Sequence, residues 1–138
     1  MRTAGALALV TLLGLTVVLR AESGPCTEAA IRQERLTTAD DAFSYMPPYG
    51  KPIIGRPSIE SANRAKFSRR TNVVRAWADD HRIVVTPAGD MAYEAGTLHV
   101  AYDEGGKRTT FDAVMLTVFA ARGGACRIVA LTMQPLEK

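Results

Sequence analysis

Cysteine and histidine are scarce in this sequence, two of each. Cys26 and Cys126 form no CxxC pair and have no histidine beside them, which argues against zinc chemistry. His81 and His99 are too far apart to make a local metal motif, and neither a metal nor a cofactor is expected. There is no internal repeat and no low-complexity linker. Aromatic residues are nearly missing from the densest basic run, Arg64, Lys66, Arg69, Arg70 and Arg75, where only Phe67 is interleaved. A single-strand groove sets aromatics among its cations, so no nucleic-acid partner is expected and the run reads as a solvated helix face. The net charge of +3 is unfocused.

What is present begins with a leader. Arg2 precedes a mostly apolar stretch from Ala6 to Leu19, as in an export signal, with cleavage expected after Ala21 although Leu19 is large for the −3 position. The alternative is an uncleaved anchor over residues 6–19, a stretch short for a membrane-spanning helix. Ser23-Gly24-Pro25 is not the small-residue run that precedes an acylated lipoprotein cysteine. The expectation is an exported protein, periplasmic or secreted, with residues 1–21 as leader and 22–138 as one domain. Membrane contact would come only through the leader. In an oxidising compartment an even cysteine pair suggests a Cys26–Cys126 disulfide. Two free or buried thiols are the alternative, because spacing alone does not bring their Cα atoms into bridging range.

Thr27 to Leu36 reads as a helix with Thr27 as N-cap and Glu28 in its first turn. Thr37 to Asp41 end it, Ala42 to Met46 run extended, and Pro47-Pro48-Tyr49-Gly50 turns the chain. Pro52 to Gly55 is a short strand. Ser58 caps a second helix reaching about Ser68, with Ile59, Ala62, Ala65 and Lys66 or Phe67 at helical spacing. Strands follow over Val73–Ala78, His81–Thr86, Met91–Asp103, Thr109–Ala121 and Cys126–Gln134. Asp79-Asp80-His81 reads as a bulge or exposed break. Turns at Pro87–Asp90, Glu104–Lys107 and Arg122–Gly124 make three hairpins. The fold class is α+β, an antiparallel meander with helices over one face.

Ala39-Asp40-Asp41-Ala42, then Tyr45-Met46-Pro47-Pro48-Tyr49-Gly50 and Pro52-Ile53-Ile54-Gly55-Arg56, resemble the SnoaL-like and ketosteroid-isomerase-like domains. These share the cone-shaped fold of nuclear transport factor 2. Gly89-Asp90-Met91-Ala92-Tyr93-Glu94-Ala95-Gly96-Thr97 fits the same pattern, as do Leu116-Thr117-Val118-Phe119 and Arg127-Ile128-Val129. The resemblance spans about Ala39 to Gln134. It implies a curved sheet wrapped by N-terminal helices into a cone, an internal cavity and, as in many relatives, a homodimer. It also implies a long first helix, for which residues 6–19 are a second candidate use, although their apolarity runs all round rather than along one stripe. Phe119 and Cys126 stand where relatives commonly carry tryptophan.

Relatives include isomerases, cyclases and dehydratases, so the fold alone assigns no activity. An isomerase of this kind needs a carboxylate base and acidic donors in an apolar cone. The resemblance puts Met46 at the base position and Met115 at that of the second acid, and the first-helix tyrosine has no counterpart. Methionine moves no proton. Strand alternation from an inward Met115 adds Phe111, Ala113 and Thr117, and on the neighbouring strands Tyr93, Ala95, Thr97 and His99, with Leu131 and Met133. Met46, Tyr45 and this set are expected to line a pocket for a small hydrophobic molecule, or else to fill a core. His99 is the remaining acid–base candidate, and Asp112 is expected on the opposite face. Three functions compete: a ligand-binding module, an enzyme using His99 with Tyr93 or Tyr45, and a dimerisation or docking domain with a filled cone.

Overall fold

The computed structural model describes residues 24–46 and 50–137. The expected leader, with its stretch 6–19, lies outside the described residues, as does the 47–49 part of the expected turn.

Thr27 caps the first helix, α1 (Glu28–Arg32), through a 3.1 Å bond from the Ala30 N–H to Thr27 Oγ1. The helix is shorter than its pattern suggested. Glu34 adopts a left-handed φ of 51°, which a right-handed helix does not accommodate. The first strand, β1 (Thr38–Tyr45), starts earlier than expected. Asp40 and Asp41 do not stop the chain: both are exposed strand residues, while Ala39 and Ala42 are buried. Two exposed neighbours mark an irregularity where pairing with the last strand slips. A two-residue strand, β2 (Ile53–Ile54), leads into α2 (Arg56–Phe67). That helix begins at Gly55 rather than Ser58. Gly55 has a φ of 88°, open to glycine, and Pro57 fits the first turn, where no N–H is needed.

Next come β3 (Thr71–Trp77), β4 (Arg82–Val85), β5 (Met91–Glu104), β6 (Lys107–Arg122) and β7 (Ala125–Pro135). β3 and β4 share one long partner: Trp77 pairs with Leu98 and Arg82 with Ala95, both on β5. The Asp79-Asp80-His81 break expected from the sequence separates them. There Asp80 replaces the missing strand by accepting from the Thr97 N–H and the Thr97 hydroxyl, each at 2.8 Å. The three expected hairpins form, and the seven strands run β2-β1-β7-β6-β5-β3 with β4 beside β5. The α+β, mostly antiparallel sheet stands as expected. One pair departs from the meander: β1 lies parallel to β7.

Helices and core cover one face of the sheet. Cys26, Ile31, Ala92, Phe119 and Cys126 pack together at the α1 end. Leu98, Val100, Tyr102 and Met115 form a second cluster, and Ala39, Ala42 and Ile59 a third under α2. Cys26 and Cys126 are joined in a disulfide, with Cα atoms 4.9 Å apart. The Cys26 N–H also donates to the Gly89 carbonyl at 2.9 Å. Gly24 presses so closely on that turn that a Cβ on it would sit 2.1 Å from the Gly89 oxygen.

Register decides which side chains face this core. The two-residue loop Gly105-Gly106 pairs Glu104 with Lys107, so Met115 faces Gly96 and Phe111 faces Val100. Every inward residue on β5 is therefore even-numbered where β6 is odd. Between β6 and β7 a shift near Phe119 sets Leu131 opposite Thr117 and Met133 opposite Met115.

Candidate functional site

A cavity lies between α2 and the inner face of the sheet. Its floor is apolar: Val100 from β5, Phe111 and Met115 from β6, Leu131 and Met133 from β7. Helical spacing turns Asn63, Lys66 and Phe67 of α2 over it, and Met46 closes the end of β1. The cavity volume is about 150 Å³. A neighbouring recess of about 340 Å³ shares Met46, Lys66, Arg70 and Phe111.

The charges around this cavity are of one sign. Lys66 Nζ donates to Met46 Sδ at 3.2 Å, and Arg75 Nη2 to Met115 Sδ at 3.6 Å. The Arg70 guanidinium lies over the Tyr102 ring, 3.8 Å from its centroid, a cation–π contact. Arg70 Nε is 3.7 Å from Glu104 Oε2, close enough for charge attraction, yet it is buried without a hydrogen-bond partner among the described residues. Burial, and then the Arg70 charge, push the Lys66 ammonium below its ordinary pKa. No aspartate or glutamate lines the cavity or the recess among the described residues.

Of the expected pocket residues, Met46, Phe111, Met115, Leu131 and Met133 meet here. Thr117 points inward but is buried away from the cavity, beside Glu94. Tyr93, Ala95, Thr97 and His99 were expected inward and face outward instead. Equal parity on β5 and β6 would turn them inward, but the two-residue Gly105-Gly106 loop offsets the alternation by one. Tyr45 is also outside, paired with Thr132 on the face that carries Leu116. His99 Nδ1 contacts Asp112 Oδ1 on that exposed face, where Asp112 was expected. His99 therefore reaches no ligand in the cavity and is withdrawn as its acid–base group.

Sequence reasoning missed Val100 and Tyr102, which the loop length would have placed inward. It also missed Arg70 and Arg75, read as part of a solvated helix face. Lys66 belonged to that run and also to the helical stripe of Ile59 and Ala62, and the structure follows the stripe. A second inward cluster was missed as well. His81 Nε2 bonds Glu94 Oε1 at 2.9 Å, and its ring stacks on Trp77 with centroids 4.3 Å apart. This pair is nearly buried and lies outside the cavity beneath α2.

No family model and no curated protein sequence matches the chain. Solved structures do. The chain is similar to an uncharacterised protein with a cystatin-like fold from Caulobacter vibrioides, at 17% identity and TM-score 0.60, with 78% of each chain covered. It is similar to a ketosteroid isomerase-like protein from Erwinia carotovora atroseptica, at 13% identity and TM-score 0.59, covering 74% of this chain and 78% of that one. It also matches the hexachlorocyclohexane dehydrochlorinase LinA-type3 of Novosphingobium barchaimii, at 17% identity and TM-score 0.57, covering 73% of this chain and 69% of that one. The fold is NTF2-like. At these identities the likeness concerns architecture alone. In this NTF2-like cone, then, the chemistry has to be read from its own side chains: an apolar floor, two methionine sulfurs, and three cations.

Proposed function

We propose that this NTF2-like domain binds a small hydrophobic ligand in the cavity beneath α2 and does not act as a carboxylate-dependent isomerase. One observation carries the reading: Met46 and Met115, at the positions where the resemblance implies acids, both border an apolar-floored cavity that no carboxylate lines among the described residues. Thioethers accept hydrogen bonds weakly and transfer no proton, so they suit packing against an apolar guest. The fold similarity is compatible with binding and with catalysis alike. An enzyme built on His99 with Tyr93 or Tyr45 lacks geometric support, because all three sit outside. The test is a thermal-shift screen with small apolar molecules. A rise in melting temperature that Met133→Trp removes by filling the floor is expected. If no compound shifts the unmodified protein, the reading falls.

A second reading concerns assembly, and it rests on the outer face of the sheet. Val84, Tyr93, Leu116 and Phe43 are exposed there and run across adjacent strands. We infer a homodimer through this face, since such apolar surface is uncommon on a monomer. Sedimentation should give a dimer, and Leu116→Arg a monomer; a monomeric parent protein ends this reading. Export through residues 1–21 is likewise our proposal. Intact mass of non-reduced protein from the culture medium or periplasm should show loss of those residues, and retention of Met1 would refute cleavage.

A further inference from the structure

We infer that the ligand of this cavity is an amphipathic anion, a small apolar molecule ending in a carboxylate, with the carboxylate received by Lys66 and Arg75; this rests on the hydrophobic-pocket reading above. The cavity holds more positive charge than it has partners for. Arg70 is partly answered by Glu104 at the rim and by the Tyr102 ring. Lys66 is half-buried and Arg75 stands exposed at the cavity's edge, and the acceptor each contacts among the described residues is a methionine sulfur, Met46 for one and Met115 for the other. A thioether satisfies an ammonium or a guanidinium poorly, whereas a carboxylate does so through short charge-assisted bonds. Half-buried Lys66 also suffers the Arg70 charge, so an incoming anion relieves two costs together.

Met46 and Met115 are the residues for which the resemblance implied acids. With acids there, Lys66 and Arg75 would each have an internal counter-ion. With methionine there, the counter-ion is left for a ligand to supply. The apolar floor of Val100, Phe111, Leu131 and Met133 then takes the rest of the molecule.

The test uses matched probes that differ in charge but little in shape: phenylacetate with phenylacetamide, cinnamate with cinnamamide, and octanoate with octanamide. Binding to the oxidised protein is followed by calorimetry at low salt. At least one acid should bind about tenfold or more tightly than its amide, the range for a charge-assisted hydrogen bond. Lys66→Met and Arg75→Met should each remove that advantage, weakening the acid at least about tenfold more than they change the amide. Equal binding of acid and amide overturns the anion inference and leaves the hydrophobic pocket standing. Binding of neither overturns both readings. An acid preference that survives both substitutions places the anion elsewhere and overturns the inference. A ligand-free arm complements this: Met46→Glu should melt above Met46→Gln, because the new carboxylate finds Lys66. The opposite order refutes an unanswered cation at that site.

Discussion

The inner face of the sheet is filled differently at its two ends. At the α1 end a disulfide, a short helix and the press of Gly24 on Gly89 close the cone with apolar side chains. At the α2 end the same sheet carries a void with Lys66, Arg70 and Arg75 around it. The first end has the dense packing that supports stability; the second keeps surface and charge available to a guest. Proteins commonly divide these tasks, since a binding surface cannot be packed as fully as a core.

The largest test of this division is the cross-link. Replacing Cys26 and Cys126 with serine opens a link between residues 100 apart in sequence. It should cost about 5 kcal/mol in urea unfolding on the chain-entropy account. An unchanged midpoint would show that the α1 end is held by packing alone. Next in size is a paired truncation. Phe119→Ala in the closed end should cost about 4 kcal/mol, whereas Phe111→Ala, already beside a void, should cost about 2 kcal/mol. Equal losses would erase the contrast.

Acid titration probes both ends at a smaller scale. The Thr86 hydroxyl holds the Asp90 carboxyl below its ordinary pKa at the β4–β5 turn, and the Asn72 amide does the same for Asp103 near the β5–β6 turn. Lowered carboxyl values stabilise the fold above the ordinary carboxylate range, and that contribution is lost as pH falls through the folded-state values. Thr86→Val and Asn72→Ala should therefore each weaken the fold at neutral pH and flatten its loss in acid, with the difference from the parent narrowing as pH falls but not closing, since Thr86 also bonds the Met91 backbone and Asn72 holds a left-handed φ of 48°. Circular dichroism melts across pH 2–7 would record it; curves parallel to the parent's at every pH would exclude the linkage. The smallest effect is expected at the exposed Arg32–Glu28 pair, 2.6 Å apart on α1. Arg32→Ala should change stability by no more than about 0.5 kcal/mol.

Much of the scaffold was legible because turns advertise themselves. Gly105-Gly106 and Gly123-Gly124 mark two hairpins, and the strands beside them alternate strongly. The inward residues of β6 followed from one anchor, Met115. Those of β5 did not, because facing residues are set by the length of the intervening loop as well as by alternation, and the two residues between Glu104 and Lys107 reverse the parity. The start of β1 was hidden by Asp40-Asp41, which read as a helix stop but sit on an exposed, irregular edge of the strand. The cations of the site were hidden for a related reason. A run of arginine and lysine looks solvated by composition; helical spacing sets Lys66 on the stripe of Ile59, and the packing of α2 against the sheet decides that this stripe, Lys66 included, turns inward. The Cys26–Cys126 bond required two distant segments to meet, which neither local pattern nor spacing encodes.

The parallel pairing of β1 with β7 has a consequence for how the chain acquires its shape. Thr38 lies against Ile128 and Tyr45 against Thr132, so the first strand of the sheet adjoins the last. The β4–β7 hairpins close over short loops and are able to form early, whereas β1 gains its neighbour only after the intervening chain has been arranged. On a ribosome, the amino-terminal segment emerges first and is seated late. Until then β1 presents an unpaired edge to the surroundings, and the species most prone to aggregate is the one that has made its hairpins and still waits for its earliest strand.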